Sequence, residues 1–261
     1  MLIKIIQLAF DDSELKADRF ARVEGYFAQI NGDENRPDIV VLPEIWGTGF
    51  FNFERYATES ESLQGETFTR LAPWAEKIGC YLLAGSIIEK DGSDFYNTAL
   101  LIGPDGSLVG KYRKIHLFGY HSQEGKIMTR GADIVTLKTD FGIWGISICY
   151  DLRFPELYRK MVEAGAEVIF VVSAWPLARL EHWLLLNRAR ALENLCYLVS
   201  CNCAGHLKEH TFCGNSMVVD PWGEIVALAG TDEELLAAKI DLGKVAAIRA
   251  VFPALHDRQI L

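Results

Sequence analysis

Three residues in this chain pair a reactive side chain with a position just past an apolar run. Cys149 closes the run Gly142-Ile143-Trp144-Gly145-Ile146-Ser147-Ile148 and is followed by Tyr150-Asp151-Leu152-Arg153-Phe154-Pro155. A thiol at a strand end beside a turn is placed for nucleophilic attack, although a free cysteine also packs as a small buried hydrophobe. Glu44 follows Val40-Val41-Leu42-Pro43. A carboxylate leaving a buried strand is poorly solvated, which favours its neutral form and suits it to proton transfer; it would serve equally as a cap or an ion-pair partner. Lys114 lies in Gly110-Lys111-Tyr112-Arg113-Lys114-Ile115-His116-Leu117, and alone such a basic cluster reads as a solvated face. A cysteine nucleophile needs a group that moves protons and donors for an oxyanion, so the three together form a set that none of them forms alone.

The elements that must position these residues alternate in type. Leu2 to Phe10 reads as a strand, Asp11-Asp12-Ser13 as capping side chains, and Phe20, Val23, Phe27 and Ile30 as one helix face ending at Gly32. Asp38 to Glu44 is a continuous apolar run, as in a strand covered on both faces. Phe68, Leu71, Ala75 and Ile78 predict a second helix stopped by Gly79, against which Pro73 counts unless it occupies the first turn. Cys80 to Ile88 reads as a strand, and Pro104-Asp105-Gly106 separates the two arms of a hairpin within 97–110. A similar pattern around Pro221-Trp222-Gly223 predicts an equivalent hairpin in a second sheet. Pro155 to Ala164 is predicted as helix, Ala166 to Ala174 as strand, Glu181 to Leu195 as helix and Cys196 to Cys203 as strand. Strand and helix alternation predicts parallel strands under crossover helices, and the hairpins make the sheets mixed. The stretch from Glu233 to the end holds a short helix, a strand-like Ala237 to Ile240 and a tail with no pattern.

Composition narrows the function classes. The chain has 261 residues, half of them hydrophobic, enough for a substantial core, and residues 1–261 read as one domain. A net charge of −9 argues against nucleic acid or an anionic membrane surface as a partner. No apolar run approaches the roughly 20 residues of a spanning helix, and the opening residues are too short for a signal-peptide core, so the expected location is the cytoplasm. Six cysteines without a secretory signal are expected to be reduced. Cys201, Cys203, His206, His210 and Cys213 invite a zinc reading, but Cys-x-Cys is poor ligand spacing and no second well-spaced pair accompanies it, so no metal is expected.

Pro43-Glu44 at a strand end, Tyr112-Arg113-Lys114-Ile115-His116-Leu117 after a hairpin, and Cys149-Tyr150-Asp151-Leu152-Arg153-Phe154-Pro155-Glu156 after a third strand occur in this order. The chain thereby resembles the nitrilase superfamily, the carbon–nitrogen hydrolases, from Ile3 to about Leu242. Phe95-Tyr96-Asn97-Thr98-Ala99, Arg188 to Asn194, and Gly214-Asn215-Ser216 leading to Pro221-Trp222-Gly223-Glu224 add to the likeness. The resemblance implies an α/β fold, a four-layer α-β-β-α sandwich with two mixed β-sheets, assembled as a homodimer. It implies a catalytic set of Glu44, Lys114 and Cys149, and a second glutamate seven residues before a glycine, which Glu124 and Gly131 match. Without the likeness Glu124 reads as an exposed loop residue.

The expected chemistry is attack of Cys149 on a primary amide, with Lys114 and the Tyr150 N–H stabilising the oxyanion, Glu44 moving protons, and Glu124 orienting Lys114 or the amide. No organic cofactor is required; the expected partners are a small amide and water. Arg153 offers a bidentate guanidinium for a substrate carboxylate, or pairs with Asp151 or Glu156. Phe50, Phe51 and Trp175 would wall a small pocket. The sequence around Trp175-Pro176 and Arg179-Leu180-Glu181-His182-Trp183 is similar to the bacterial ω-amidase branch, which hydrolyses 2-oxoglutaramate and 2-oxosuccinamate. Alternatives are an N-carbamoyl amino acid, an aliphatic amide or a nitrile as substrate, or a catalytically silent binding protein of the same fold.

Overall fold

A computed structural model describes residues 1–259 of the chain. Two six-stranded sheets dominate it. In the first, strands run in the order Glu234–Lys239, Leu2–Gln7, Ile39–Val41, Tyr81–Asp91, Asp94–Ile102, Leu108–Arg113. In the second the order is Thr136–Thr139, Gly142–Ile148, Val168–Ser173, Tyr197–Asn202, Met217–Val219, Ile225–Leu228. Both sheets are mixed, and each repeats the same pairing sequence: one antiparallel pair, two parallel, two antiparallel. The two hairpins legible in the sequence fill matching places at the edges of the two sheets.

Alternation of side chains along the strands creates the layers. Ile3, Ile5, Ile39, Val41, Leu83, Ala99 and Leu101 share one core with Trp144, Ile146, Phe170 and Val172 of the other sheet, and the Tyr81 and Trp144 rings meet at 5.0 Å. The opposite face of the first sheet, with Val40, Leu42, Leu82, Leu100 and Ile102, packs against Phe20, Val23, Phe27 and Ile30 of the helix Lys16–Gly32 and against Leu71, Ala75 and Ile78 of the helix Glu66–Ile78. On the far side of the second sheet, Ser147 hydrogen-bonds Tyr158 of the helix Pro155–Glu163, beside the helix Leu180–Asn194. The result is the four-layer α-β-β-α sandwich that the sequence implies.

Local expectations fail in instructive places. Pro73 lies well inside the helix Glu66–Ile78, where it deletes one backbone bond at a cost of about 3 kcal/mol; the buried stripe of Leu71, Ala75 and Ile78 offsets that loss. The expected strand Leu2 to Phe10 breaks at Leu8, whose carbonyl accepts the Ala204 N–H. Ala9–Phe10 then joins a small third sheet with Ala204–Leu207 and His210–Thr211. Asp11 and Ser13 bond each other, and the first helix is capped instead by the Asp18 carboxylate on the Leu15 N–H at 3.2 Å. The end of the chain supplies the strand Glu234–Lys239, which pairs with Leu2–Gln7, and the helix Gly243–Val251. The tail beyond it returns Arg258 to Glu163 at 2.7 Å.

Candidate active site

Cys149 stands at the carboxyl end of a central strand of the second sheet, the edge where open α/β sheets gather their functional groups. Its φ is +47°, the left-handed region that non-glycine residues seldom occupy, and such a conformation persists where the surroundings enforce it. The enforcing group is Asp151, fully buried. Its carboxylate accepts the Ile148 N–H at 3.0 Å, the Tyr112 hydroxyl at 2.8 Å and the His116 N–H at 3.0 Å. The same carboxylate lies 2.7 Å from the His116 ring Nδ1, and that ring stacks on Phe154 at 3.7 Å. The turn carrying the thiol is thus bolted to the first sheet. Pro155 opens the next helix at its first position, where the missing N–H has no intrahelical partner.

Glu44 lies three residues past the strand Ile39–Val41 of the first sheet, in a turn where Ile45 has φ +43°. Gly85 admits that turn: a Cβ there would lie 2.0 Å from the Pro43 carbonyl oxygen. The Ser86 hydroxyl accepts the Ile45 N–H at 3.1 Å. Glu44 and Lys114 are both completely buried at their side chains. Lys114 Nζ donates to Glu44 Oε1 at 2.8 Å and to Glu124 Oε1 and Oε2 at 2.9 and 3.0 Å. Glu124 opens the short helix Glu124–Ile127 and is as buried as its partners, which corrects the reading of this position as an exposed loop residue. Its Oε2 also accepts the Phe118 N–H at 2.6 Å. The glutamate-to-glycine spacing has a physical reason: Gly131 donates to the Lys114 carbonyl at 2.8 Å, and a Cβ there would strike the Arg113 carbonyl oxygen at 2.1 Å.

Glu44 Oε2 accepts the Ala174 N–H at 2.9 Å, a group that also faces the Cys149 sulfur. Burial pushes the Cys149 thiol well above its ordinary range, and the Glu44 carboxylate adds to this; Lys114, Ser173 and the Ala174 N–H act the other way and do not prevail. Burial also disfavours the Lys114 ammonium, but Glu124 and Glu44 outweigh it and hold the lysine charged beyond its normal range. The Glu124 carboxyl is shifted up by burial, with Lys114 opposing and Glu44 reinforcing. The arrangement therefore combines a neutral thiol, a fixed cation and a buried carboxylate that shares the Ala174 N–H with the thiol.

Above this buried set lies a narrow pocket lined by Phe50, Phe118, Cys149, Tyr150, Trp175 and Arg179, with Phe51 and Arg153 also on its walls. Arg153 pairs with neither Asp151 nor Glu156. It contacts His182 Nδ1 at 3.2 Å and lies 4.8 Å over the Trp175 ring. Arg179, whose carbonyl accepts the Trp175 indole N–H at 2.9 Å, brings a second guanidinium to the same wall. The structure thus gathers every predicted site residue: Glu44, Lys114, Glu124 and Cys149 below, and Phe50, Tyr150, Arg153 and Trp175 around the opening. Sequence reasoning gave no site role to Asn97, Asp151, His116 or Arg179, although all four lie in the stretches that carry the family likeness and Asp151 is also an acid inside the turn that follows the thiol. The cysteines and histidines of the zinc reading face different ways: Cys201 meets the Ile6 carbonyl at 3.4 Å, Cys213 accepts from Asn202 at 3.0 Å, and His210 stacks on Phe51 at 3.5 Å.

Comparison with known proteins places this geometry among relatives. The carbon-nitrogen hydrolase family model matches residues 7–250. A 2-oxoglutaramate amidase of Paenarthrobacter nicotinovorans is 37% identical, the match covering 98% of this chain and 89% of that protein. A 2-oxoglutaramate amidase of Bacillus subtilis is 36% identical over 96% of this chain and 95% of its own length. The crystal structure of Saccharomyces cerevisiae Nit3, a member of branch 10 of the nitrilase superfamily, superposes with a TM-score of 0.90 at 30% identity, covering 99% of this chain and 96% of that one.

Proposed function

This chain belongs to the carbon–nitrogen hydrolase family, and we propose that it is an ω-amidase, releasing ammonia from the terminal amide of 2-oxoglutaramate or 2-oxosuccinamate. The observation that carries this reading is the buried Glu44–Lys114–Glu124 set beneath Cys149, joined to a pocket whose cations are Arg153 and Arg179. An amide end is served below and a carboxylate end above. The amidase names of the relatives support the same substrate class.

The proposed cycle uses four side chains. Glu44 takes the thiol proton while Cys149 Sγ bonds to the amide carbon, and the carbonyl electron pair moves to oxygen. The Lys114 ammonium and the Tyr150 N–H receive that oxyanion; removing one such donor costs about 10²- to 10³-fold in kcat. Glu44 returns the proton to the leaving nitrogen, the C–N bond breaks, and ammonia departs from a Cys149 thioester. Glu44 then takes a proton from water as the hydroxide attacks, and returns it to sulfur when the acid leaves. Glu124 keeps Lys114 charged and aimed. Phe50, whose ring lies 5.2 Å from Lys114 Nζ, and Trp175 exclude water from the reacting centre. Arg153 receives the substrate carboxylate, a role supported by its lack of an acidic partner among the described residues, and Arg179 adds attraction.

We read residues 1–261 as one domain acting as a homodimer in the cytoplasm. Support for self-association comes from apolar side chains on the outer surface of the sandwich: Leu185 and Leu192 on the helix Leu180–Asn194, and Trp222 against Phe252 at 5.4 Å, all exposed. Among the described residues no helix is long and apolar enough to cross a membrane. Ammonia release from 2-oxoglutaramate, 2-oxosuccinamate, glutamine, simple aliphatic amides and N-carbamoyl amino acids tests the substrate assignment. The two oxo-acid amides are expected to be preferred. A preference for the carbamoyl compounds would overturn the ω-amidase reading and leave the catalytic set in place.

A further inference from the structure

One buried side chain in the catalytic ring has no part in the cycle above. Asn97, 1% exposed, sends a single amide nitrogen to two carboxylates, 2.8 Å to Glu44 Oε1 and 2.9 Å to Glu124 Oε1. These are the same two oxygens that Lys114 Nζ contacts at 2.8 and 2.9 Å. The Lys114 N–H donates to the Asn97 carbonyl at 2.9 Å, so the two donor residues face each other across neighbouring strand ends. Four side chains close a ring in which donors and acceptors alternate. Only the NH2 end of the amide can face two carboxylate oxygens, so the neighbours fix its orientation. The amide oxygen then finds no donor among the described residues. A side chain kept for packing alone, such as leucine, would avoid that loss.

We propose that Asn97 is a positioning residue for amide hydrolysis, donating both amide protons so that Glu44 and Glu124 are held on either side of Lys114. The inference rests on Glu44 being the proton carrier. With Oε1 of Glu44 saturated by Lys114 and Asn97, its Oε2 is the oxygen that exchanges the proton. Among the described residues that atom has only the Ala174 N–H as a donor, and the same N–H lies against the Cys149 sulfur. The role calls for a neutral residue: a second cation would suppress the basicity of Glu44, whereas an amide lends hydrogen bonds without adding charge. The groups facing Glu44 are Lys114, Glu124 and Asn97 from the first sheet and its following loop, Cys149 and Ala174 from the second sheet, Cys203, and Tyr56 from the helical side.

Steady-state kinetics on 2-oxoglutaramate against pH, for Asn97→Leu and Asn97→Asp beside Cys149→Ala and Glu44→Gln, test the assignment. For both Asn97 variants kcat should fall about 10- to 100-fold with KM within about twofold. The acid limb of kcat/KM should move up by about one pH unit for Asn97→Leu, because a donor to the anionic carboxylates is gone, and further for Asn97→Asp, which adds a like charge. Asn97→Asp keeps the native side-chain shape and carries the test if Asn97→Leu does not fold. An unmoved limb, an unchanged kcat, or a loss confined to KM would overturn the proposal while Cys149→Ala and Glu44→Gln remain inactive. Turnover by those two controls would instead overturn the underlying mechanism.

Discussion

Adjacent residues on one pair of strands build two charge clusters of opposite character around buried acids. Thr98 and Arg113 are paired across the strands Asp94–Ile102 and Leu108–Arg113, and both point to Glu89. That carboxylate accepts from Arg113 Nε and from its second guanidinium nitrogen, from Lys111 and from the Thr98 hydroxyl, each at 2.7 Å. One step along, Asn97 and Lys114 point to the other side and meet Glu44 and Glu124. The first cluster gives the buried Glu89 two cations, Arg113 being shared with the exposed Asp91 at 2.7 Å, and although burial works against it, the hydrogen bonds from Arg113, Lys111 and Thr98 bring Glu89 down to about 2. The second gives one cation two acids, and burial pushes the Glu124 carboxyl up. A saturated acid can only hold structure. An acid in excess over its cation keeps a lone pair free for a proton, so the stoichiometry of charge separates the scaffold from the chemistry.

Breaking the chemical side should give the largest effects. Cys149→Ala should lower turnover at least about 10⁴-fold with the fold retained, checked by ammonia release and circular dichroism. Lys114→Met should lose about 10²- to 10³-fold in kcat and, because it leaves two buried carboxylates without a counter-ion, about 3–5 kcal/mol of stability in denaturant titration. Further out, Arg153→Ala should cut kcat/KM about 10- to 100-fold for 2-oxoglutaramate, the effect of one charge-assisted contact, and leave simple aliphatic amides unaffected. On the structural side the effect should be smallest on catalysis. Glu89→Gln should keep kcat and KM within about twofold while lowering stability by about 1–3 kcal/mol.

The pH dependence sharpens the same contrast. The Glu89 carboxyl is depressed in the fold from 4.5 to about 2, so its contribution is present above about 4.5 and is lost as pH falls towards about 2. Glu89→Gln should therefore flatten the acid side of the stability curve over that window. Lys114 is raised from its ordinary value of 10.5. Its charge, and the stability linked to it, persist below that value and are lost only above it, so the mechanism expects no loss of activity from this group between pH 7 and 10.

How much of this was legible depended on whether a signal was local. Cys149, Glu44 and Lys114 were visible because each ends or follows an apolar run, and mixed sheets followed from alternating helices and hairpins. Glu124 was visible only through the family likeness, since nothing in its own surroundings announces a buried acid. Asn97 lies in a stretch that adds to the family likeness but carries no role there; its meaning comes from Glu44 and Glu124, 53 and 27 residues away in the chain. In the sequence Asp151 reads as a turn residue or a partner for Arg153; its contacts with Tyr112 and His116 reach back to the edge strand of the first sheet and the segment after it, which no spacing rule predicts. The pairing of Glu234–Lys239 with Leu2–Gln7 joins the two ends of the chain for the same kind of reason. Pro73 shows the reverse case, a strong local rule overridden by packing.

The central claim, that Cys149 forms a thioester because a buried acid moves its proton, is tested most directly by acid-quenching the enzyme during turnover of 2-oxoglutaramate and measuring intact and peptide masses. An acyl adduct on the Cys149 peptide is expected in wild type, formed with one equivalent of ammonia, and no adduct in Cys149→Ala or Glu44→Gln. Ammonia release without any adduct, or an adduct on another cysteine, would contradict it.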